Sequence, residues 1–294
     1  MKDTVAILGT SPIMIILAYE LLNKGADVTI LDFRSEIGGA WSCVPFKNSF
    51  ISTQTNVIVP DSRIEERNIP KLNRYLTDTF KVDVTENNEP FEPLGYLAKT
   101  NYDYDLRNIY RLVLEEAIPR KKIFVERLVL NANKVAVDDE NEFDKVYVPT
   151  YCGVSQVIKN GTSIDVRPTT IVSEHALLIS KKINATHITY SENFDDNFDR
   201  VQIKRVDAFD VFTGRIRREK KGQNVADLVS SSKLLDDKAT IELKKFRYKN
   251  FYRNKEQKKR LKDCLRDTNV EYINTALFVE AFFELNQKFK MVPL

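Results

Sequence analysis

The stretch that most constrains the fold is "TVAILGTSPIM", near the start of the chain, which joins an apolar run to an amphipathic one. The apolar run that ends at Gly9 is typical of a buried parallel strand. Apolar residues then recur at helical spacing, with Ser11 as a candidate cap and Pro12 in the first turn. Gly25 stands where such a helix would end, and "DVTILD" (27–32) is typical of a second strand. The segment therefore predicts a βαβ unit.

An acidic residue, Asp32, ends the second predicted strand, 23 residues after Gly9. In dinucleotide-binding βαβ units an acid about 20 residues beyond the glycine turn accepts the ribose hydroxyls. The other interpretation is that Asp32 caps a loop. Because strand, turn, helix and acid occur in order, the sequence favours the nucleotide interpretation.

The glycine turn departs from the usual G-x-G-x-x-G/A pattern. It reads Gly9-Thr10-Ser11-Pro12-Ile13-Met14, so serine and methionine stand where the second glycine and the small residue are expected. The Ser11 hydroxyl could donate to a phosphate or cap the helix, and the helix N-terminus still attracts an anion. Two hypotheses follow, a modified phosphate cradle or a turn that no longer binds a nucleotide.

The stretch "LDFRSEIGGAW" is more specific than the turn, since it places the doublet Gly38-Gly39 six residues past Asp32, followed by Ala40 and Trp41. This resembles the nucleotide motif of FAD-binding Rossmann proteins of the glutathione-reductase type. The likeness is greatest to proteins similar to UDP-galactopyranose mutase and protoporphyrinogen oxidase. The resemblance implies an FAD-binding fold.

Later segments agree with the resemblance in order. A helix is predicted in 106–117, a strand pair in 122–139, and a strand in 142–151 that returns to the parallel sheet. A final strand and helix in 270–289 would point at the flavin. The resemblance implies cofactor contacts from Gly9, Thr10, Ser11, Pro12, Asp32, Phe33, Arg34, Gly38, Gly39, Ala40, Trp41 and Thr275.

The expected fold class is α/β, or α+β overall, with a Rossmann-like parallel sheet and an inserted, mostly antiparallel β substrate domain. The Rossmann-like domain would be discontinuous, comprising 1–48, 101–155 and 265–294. Residues 49–100 form a helical insertion, with a helix around Leu72, and 156–264 form the β substrate domain, in which "HITYSE" (187–192) and 240–252 alternate as strands do.

Two groups of residues are candidate substrate ligands. Gln54 and Asn56 follow the glycine doublet, where related flavoproteins place a loop over the flavin, although a solvated loop is equally consistent. In the strand "KKFRYKNFYR", alternation puts Phe246, Tyr248 and Tyr252 on one face and Arg247, Lys249 and Arg253 on the other. Arg247, Tyr252 and Arg253 could clamp a diphosphate, since guanidinium binds phosphate in a bidentate manner. An ordinary sheet with a charged outer face is the alternative, and the pattern favours it.

The sequence offers little for metal or histidine chemistry. The two histidines, His175 and His187, lie in no catalytic motif, and we expect them to be structural. Three cysteines without C-x-x-C spacing predict a reducing cytoplasm and no metal site. No apolar stretch approaches the roughly 18 residues of a membrane span.

The charge pattern indicates the class of partner. The net charge of +3 predicts no nucleic-acid partner, although "RIRREKKG" (215–222) and "KKFRYKNFYRNKEQKKRLK" (244–262) are basic. We expect a small-molecule substrate, no membrane partner, and possible homo-oligomers.

These features lead to three functional hypotheses. The leading one is a flavin-dependent enzyme, an oxidoreductase or a mutase-like isomerase, that acts on a small polar metabolite such as a nucleotide sugar; no catalytic residue is assigned. The second is a non-catalytic Rossmann-like nucleotide-binding or assembly protein. The third is an NAD(P)-dependent dehydrogenase in which Arg34 meets a 2′-phosphate.

Overall fold

The computed structural model describes residues 2–34, 36–38, 43–46, 49–52, 57–58, 68–87, 101–138, 141–181, 183, 195–206, 208–232, 234, 240–275 and 278–292. In chain order the elements are β1 (Thr4–Leu8), α1 (Pro12–Asn23), β2 (Asp27–Leu31), β3 (Cys43–Phe46), β4 (Ser49–Ser52), β5 (Val57–Ile58), α2 (Ile69–Phe80), β6 (Val84–Asn87), β7 (Asn101–Tyr104), α3 (Arg107–Leu114), β8 (Arg120–Lys121), β9 (Arg127–Leu130), β10 (Val135–Val137), β11 (Asn141–Phe143), β12 (Lys145–Pro149), β13 (Gln156–Lys159), β14 (Thr162–Asp165), β15 (Thr169–Ser180), β16 (Phe198–Val206), β17 (Phe209–Ile216), α4 (Val225–Ser231), β18 (Thr240–Tyr252), α5 (Lys255–Leu265), β19 (Val270–Ile273) and α6 (Phe278–Phe289), with a short 3-10 turn at Arg218–Lys220.

A five-stranded parallel sheet, in the order β8-β2-β1-β12-β19, forms the centre of the molecule. The predicted βαβ unit is β1, α1 and β2, and Gly25, with φ at +88°, follows the end of α1 as the sequence indicates. Since all five strands are parallel, their carboxyl ends lie at one edge of the sheet. The predicted α/β fold class is confirmed.

Helices cover one face of this sheet. Most of α1 is buried, because it packs between the sheet and the helices α3 and α6. The predicted helix around Leu72 is α2, and its apolar face joins the same core as α6. The helix predicted in 106–117 is α3, in which Leu114 is 38% exposed. Helix α3 ends at this residue, so the side chain lies past the edge of the core.

A mixed sheet, in which β9 and β13 are parallel and the other neighbours antiparallel, packs on the other face. Its order is β11-β10-β9-β13-β14, and β9 and β10 are the hairpin predicted in 122–139. The second core lies between this sheet, the parallel sheet and helix α5. Strands β13 and β14 and helix α5 fall within the predicted substrate domain, yet they pack here against the parallel sheet.

A separate four-stranded antiparallel sheet has the order β16-β17-β15-β18. One face is apolar and packs on α4. The opposite face carries buried polar side chains, among them Ser173, His175, Gln202 and Thr213. Strand β17 pairs with β15 only over 175–180, so β15 and β18 continue beyond it as a two-stranded ribbon. The strand predicted at 187–192 lies outside the described residues.

None of the helices in the described part of the chain is both long and apolar enough to cross a bilayer.

Candidate functional site

The glycine turn at the end of β1 depends on one residue. Gly9 has φ at +81°, a conformation that side chains with a Cβ rarely adopt. Its N–H donates to the Leu31 carbonyl at 2.8 Å, which ties the turn to the end of β2. A Cβ added at Gly9 would meet nothing closer than Pro149 Cγ at 4.0 Å, so the backbone conformation, and not space, requires glycine here.

Helix α1 begins at this turn with an unused hydroxyl. Ser11 occupies the N-cap position in an extended conformation, and its carbonyl accepts from the Met14 and Ile15 N–H groups. Its side chain makes no capping hydrogen bond, and Ser11 Oγ is buried without any partner. Of the two roles considered for this hydroxyl, capping is therefore not the one it has in this structure. A buried hydroxyl without a partner at a helix N-terminus is free to donate to an anion.

The carboxylate of Asp32 lies beside the same turn and is 5% exposed. The Thr10 hydroxyl donates to Asp32 Oδ2 and accepts from the Gly38 N–H at 3.1 Å. Asp32 Oδ1 accepts from the Arg34 N–H at 3.2 Å. Thr10 thus joins the glycine turn, the acid and the first glycine of the doublet into one network, which fixes the carboxylate at the carboxyl end of β2.

Two arginines beyond Asp32 have donors without partners. Arg34 Nη1 and Arg120 Nε are both buried and unpartnered, while Arg120 Nη2 donates to the Arg34 carbonyl. Burial lowers the pKa of Arg34, and the nearby Asp32 charge acts in the opposite direction. Among the described residues, five buried side-chain atoms have no partner, and three of them belong to Ser11, Arg34 and Arg120. Unpartnered donors are therefore concentrated near the carboxyl ends of β1 and β2.

Thr150 organises the neighbouring part of the edge, where β12 and β19 end. Its side chain is fully buried, and its Oγ1 accepts from the Thr275 N–H and from the Tyr272 hydroxyl, each at 3.0 Å. Burial raises the pKa of Tyr272. Thr275, a predicted cofactor contact, therefore lies at the expected edge. Thr150, at the end of the strand predicted in 142–151, is not among the predicted site residues.

An aromatic cluster brings β18 to the same edge. The Phe33 ring lies 5.0 Å from Phe124 and 5.8 Å from Phe251, measured between centroids. Arg34 Nη2 also donates to the Lys249 carbonyl at 3.1 Å. Phe33 and Arg34, expected at the cofactor, are thus brought next to the strand expected at the substrate.

The structure places Arg253 in a different role from the phosphate clamp considered above. It is fully buried, and its guanidinium donates to backbone carbonyls. Nη1 donates to Thr150 at 3.2 Å and Cys152 at 3.1 Å, Nη2 to Val154, and Nε to Val166 at 3.4 Å. These contacts hold the loop after β12, so we do not retain Arg253 as a substrate ligand.

The other two residues of this predicted clamp do not lie together with Arg253. Arg247 Nε donates to Glu174 Oε1 at 2.8 Å, and the Tyr252 side chain is 50% exposed. Tyr248, on the even-numbered side of β18, is buried, but so is Phe251, on the odd-numbered side. The buried side of the strand therefore changes where β18 leaves the four-stranded sheet and continues in the ribbon. Alternation alone could not show this change.

Several predicted residues lie outside the described part of the chain: Gly39, Ala40, Trp41, Gln54, Asn56 and His187. His175 is buried, with its Nε2 3.1 Å from Ser173 Oγ and its ring against Tyr248. The described residues contain no group of three metal-ligating side chains close enough to hold an ion.

The described edge therefore combines a helix N-terminus, an unused hydroxyl and a buried carboxylate. The first two suit an anionic phosphate, and a carboxylate accepts from the hydroxyls of a ribose. This combination fits a dinucleotide.

Comparisons with known proteins find solved structures with a similar fold, but no matching family model and no matching curated protein. Among solved structures, putrescine oxidase is similar with a TM-score of 0.53 and 10% identity, over 99% of this chain and 97% of that one. A CLA-producing fatty acid isomerase from P. acnes has a TM-score of 0.52 and 11% identity, over 98% of each chain.

The Diels-Alderase PyrE3 of pyrroindomycin biosynthesis has a TM-score of 0.51 and 13% identity over 94% of this chain. The chain spans 60% of the length of that enzyme. At these identities the likeness shows a shared fold alone.

Proposed function

We propose that the chain binds FAD along the carboxyl edge of the parallel sheet and is a flavin-dependent enzyme. The observation that carries the proposal is the buried, unpartnered Ser11 hydroxyl at the N-terminus of α1, next to a turn that is linked through Thr10 to the buried Asp32 carboxylate. A native protein rarely leaves a buried hydroxyl without a partner, so a ligand oxygen is the expected partner.

The residues fit the parts of a dinucleotide one by one. Ser11 and the first turn of α1 would hold the pyrophosphate, although Pro12 supplies no N–H. Asp32, kept in place by Thr10, would accept from the ribose hydroxyls. Thr275 and the residues after Gly38 would lie towards the flavin end. When bound, FAD supplies hydride transfer, and the protein supplies binding, orientation and electrostatics.

The reaction we favour is an oxidation or a mutase-like isomerisation of a small polar metabolite, with a nucleotide sugar as the first substrate to test. The names of two similar structures, an oxidase and an isomerase, support both reaction types on this fold. Gln54 and Asn56 remain proposed substrate contacts, whereas Arg247 and Tyr252 lie on the exposed ribbon of β15 and β18 and are not retained. A reducing compartment, the cytoplasm, is proposed too, since Cys152 and Cys264 are free thiols.

The test is the visible spectrum of the purified protein, alone and after incubation with FAD. A bound flavin should absorb near about 450 nm and raise the thermal midpoint. Matched variants locate the site. Ser11→Gly removes the hydroxyl that would donate to the pyrophosphate, so it should weaken FAD binding by about 0.5–1.5 kcal/mol. Ser11→Leu should bind less, because its side chain would stand where the pyrophosphate approaches. A colourless protein that FAD, NAD and NADP all fail to stabilise would overturn the proposal.

Two alternative functions each have one supporting observation. Both Asp32 oxygens already accept hydrogen bonds within the protein, as expected for a non-catalytic Rossmann-like protein whose acid needs no ligand. The unpartnered Arg34 Nη1 favours an NAD(P)-dependent dehydrogenase, since it could meet a 2′-phosphate. The same titrations separate these functions, because stabilisation by NADP alone supports the dehydrogenase and stabilisation by no nucleotide supports the non-catalytic protein.

A further inference from the structure

The ribbon formed by residues 169–174 of β15 and 247–252 of β18 is a second notable surface. Over this length the two strands pair only with each other among the described elements. Of the six large apolar side chains that are exposed in the described part of the chain, three lie on the ribbon. They are Ile171 at 49% exposure, Val172 at 47% and Tyr252 at 50%.

Apolar side chains project from both faces of the ribbon. Ile171 and Val172 are adjacent in a strand, so they point to opposite faces. Thr169 pairs with Tyr252, which places Tyr252 on the same face as Ile171. Exposed apolar residues gathered in one place indicate an interaction surface, whereas scattered ones do not.

Cations surround these apolar residues, because the fold joins the two basic segments of the sequence. Lys221 Nζ donates to the Val172 carbonyl at 2.5 Å, and Gly222 N–H donates to Glu174 at 3.0 Å. Lys249 is exposed, and the Arg247 side chain is 70% exposed. The nearby acid Glu174 is buried and paired with Lys245 and Arg247. In the 218–221 segment, Glu219 is an exposed acid.

Both edges of the ribbon are partly blocked. On the β15 edge the Val172 carbonyl accepts a hydrogen bond from Lys221 Nζ, and on the β18 edge the Lys249 carbonyl accepts one from Arg34 Nη2. Cations at strand edges oppose the addition of another strand. A partner would therefore be recognised by the side chains of the ribbon and not by strand pairing.

We propose that the ribbon lies on an anionic lipid surface, with Ile171, Val172 and Tyr252 at the headgroup boundary and the surrounding cations on the lipid charges. At a bilayer surface, the exposed apolar side chains can enter the headgroup boundary while the surrounding cations contact the anionic headgroups. Nucleic acid would use the cations and leave the aliphatic tips without a contact. The sequence predicted no membrane partner from the lack of a spanning segment, but a protein that rests on a bilayer needs none.

The test is co-sedimentation of the full chain with phosphatidylcholine vesicles, with and without about 30% phosphatidylserine. The protein should pellet with the anionic vesicles and be released as salt rises. The triple variant Arg218→Gln, Lys220→Gln, Lys221→Gln, in the basic segment beside the ribbon, should lower the partition coefficient about a hundredfold, at about fivefold per cation. Ile171→Ser with Val172→Ser should lower it about tenfold. The control pair Leu114→Ser and Arg111→Gln, on α3, removes an exposed apolar side chain and a cation elsewhere and should change nothing.

Unchanged thermal midpoints would show that the variants fold. Equal pelleting with neutral and anionic vesicles, no pelleting with either, or equal losses in the ribbon and α3 variants would overturn the proposal. Binding to duplex DNA or polyglutamate, without binding to anionic vesicles, would also overturn it and assign the ribbon to a charged macromolecule. None of these outcomes depends on whether the chain binds FAD.

Discussion

At the scale of single residues, we expect Asp32 to contribute to cofactor binding and not to the stability of the fold. Its carboxylate is held by Thr10 and by the Arg34 N–H, and it lies at the end of a strand outside the apolar core. Asp32→Ala should weaken FAD binding by about 1.5–3 kcal/mol, the range for a hydrogen bond to a charged group, and leave the fold intact. Titration calorimetry measures the affinity, with the exposed Asp27→Ala as the control. Wild-type affinity in folded Asp32→Ala would mean that the acid only supports the loop.

Glu174 predicts a pH dependence. Hydrogen bonds from Lys245, Gly222 and Arg247 lower its pKa from 4.5 to about 2. Because the folded pKa is lowered, its stabilisation is complete above the unfolded pKa near 4.5 and is lost as pH falls towards 2. Glu174→Gln should therefore reduce stability at pH 7 and flatten the decline between these two pH values. Urea unfolding at several pH values checks this, with the exposed Glu126→Gln as the control. An unchanged pH slope in Glu174→Gln would contradict the prediction.

At the scale of elements, the sequence predicted those helices and strands whose positions depend on residues close together in the chain. The first βαβ unit, the returning strand β12 and the final helix α6 lie where apolar spacing, Pro12, Gly9 and Gly25 put them. These elements are specified by residues close in sequence. The acid at the end of β2 could be found for the same reason.

Long-range contacts decided the rest of the site. Arg253 contacts the carbonyls of 150–154, about 100 residues away, and Thr150 binds the N–H of Thr275. A basic residue in an alternating strand looks the same in sequence whether it faces solvent or a buried loop. The strand pattern of β18 therefore predicted the strand correctly and the place of Arg253 wrongly.

The junction between β18 and α5 depends on this arginine. Arg253→Met keeps the length of the side chain but removes its donors, which leaves several buried carbonyls unpaired. The free energy of unfolding should fall by about 3 kcal/mol or more, since each unsatisfied buried group costs about 1–3 kcal/mol. The exposed Arg260→Met, on α5, should change it by less than about 0.5 kcal/mol. Equal effects of the two variants in urea unfolding would show that the Arg253 contacts carry no stability.

At the scale of the whole molecule, side chains near the end of β18 connect the four-stranded sheet to the parallel one. Among the described residues they include Arg253, the Arg34 hydrogen bond to Lys249, and the cluster of Phe33, Phe124 and Phe251. The cluster lies next to Asp32, so the connection between the sheets and the proposed cofactor edge share residues. Binding at that edge should therefore strengthen the connection between the sheets.

This coupling predicts how the molecule unfolds. The wild type should unfold in one transition, because the two sheets share the aromatic cluster. Phe251→Ala removes the ring that β18 contributes, at a cost of about 3–5 kcal/mol, and should let the four-stranded sheet unfold before the parallel sheet. Hydrogen exchange should then show faster exchange in β15 and β17 than in β1 and β2. The neighbouring Tyr252→Ala, which removes an exposed ring, should keep the single transition. FAD should slow exchange at β18 in the wild type and do so less in Phe251→Ala. Uniform destabilisation of both sheets in Phe251→Ala would show that the connection does not depend on this ring.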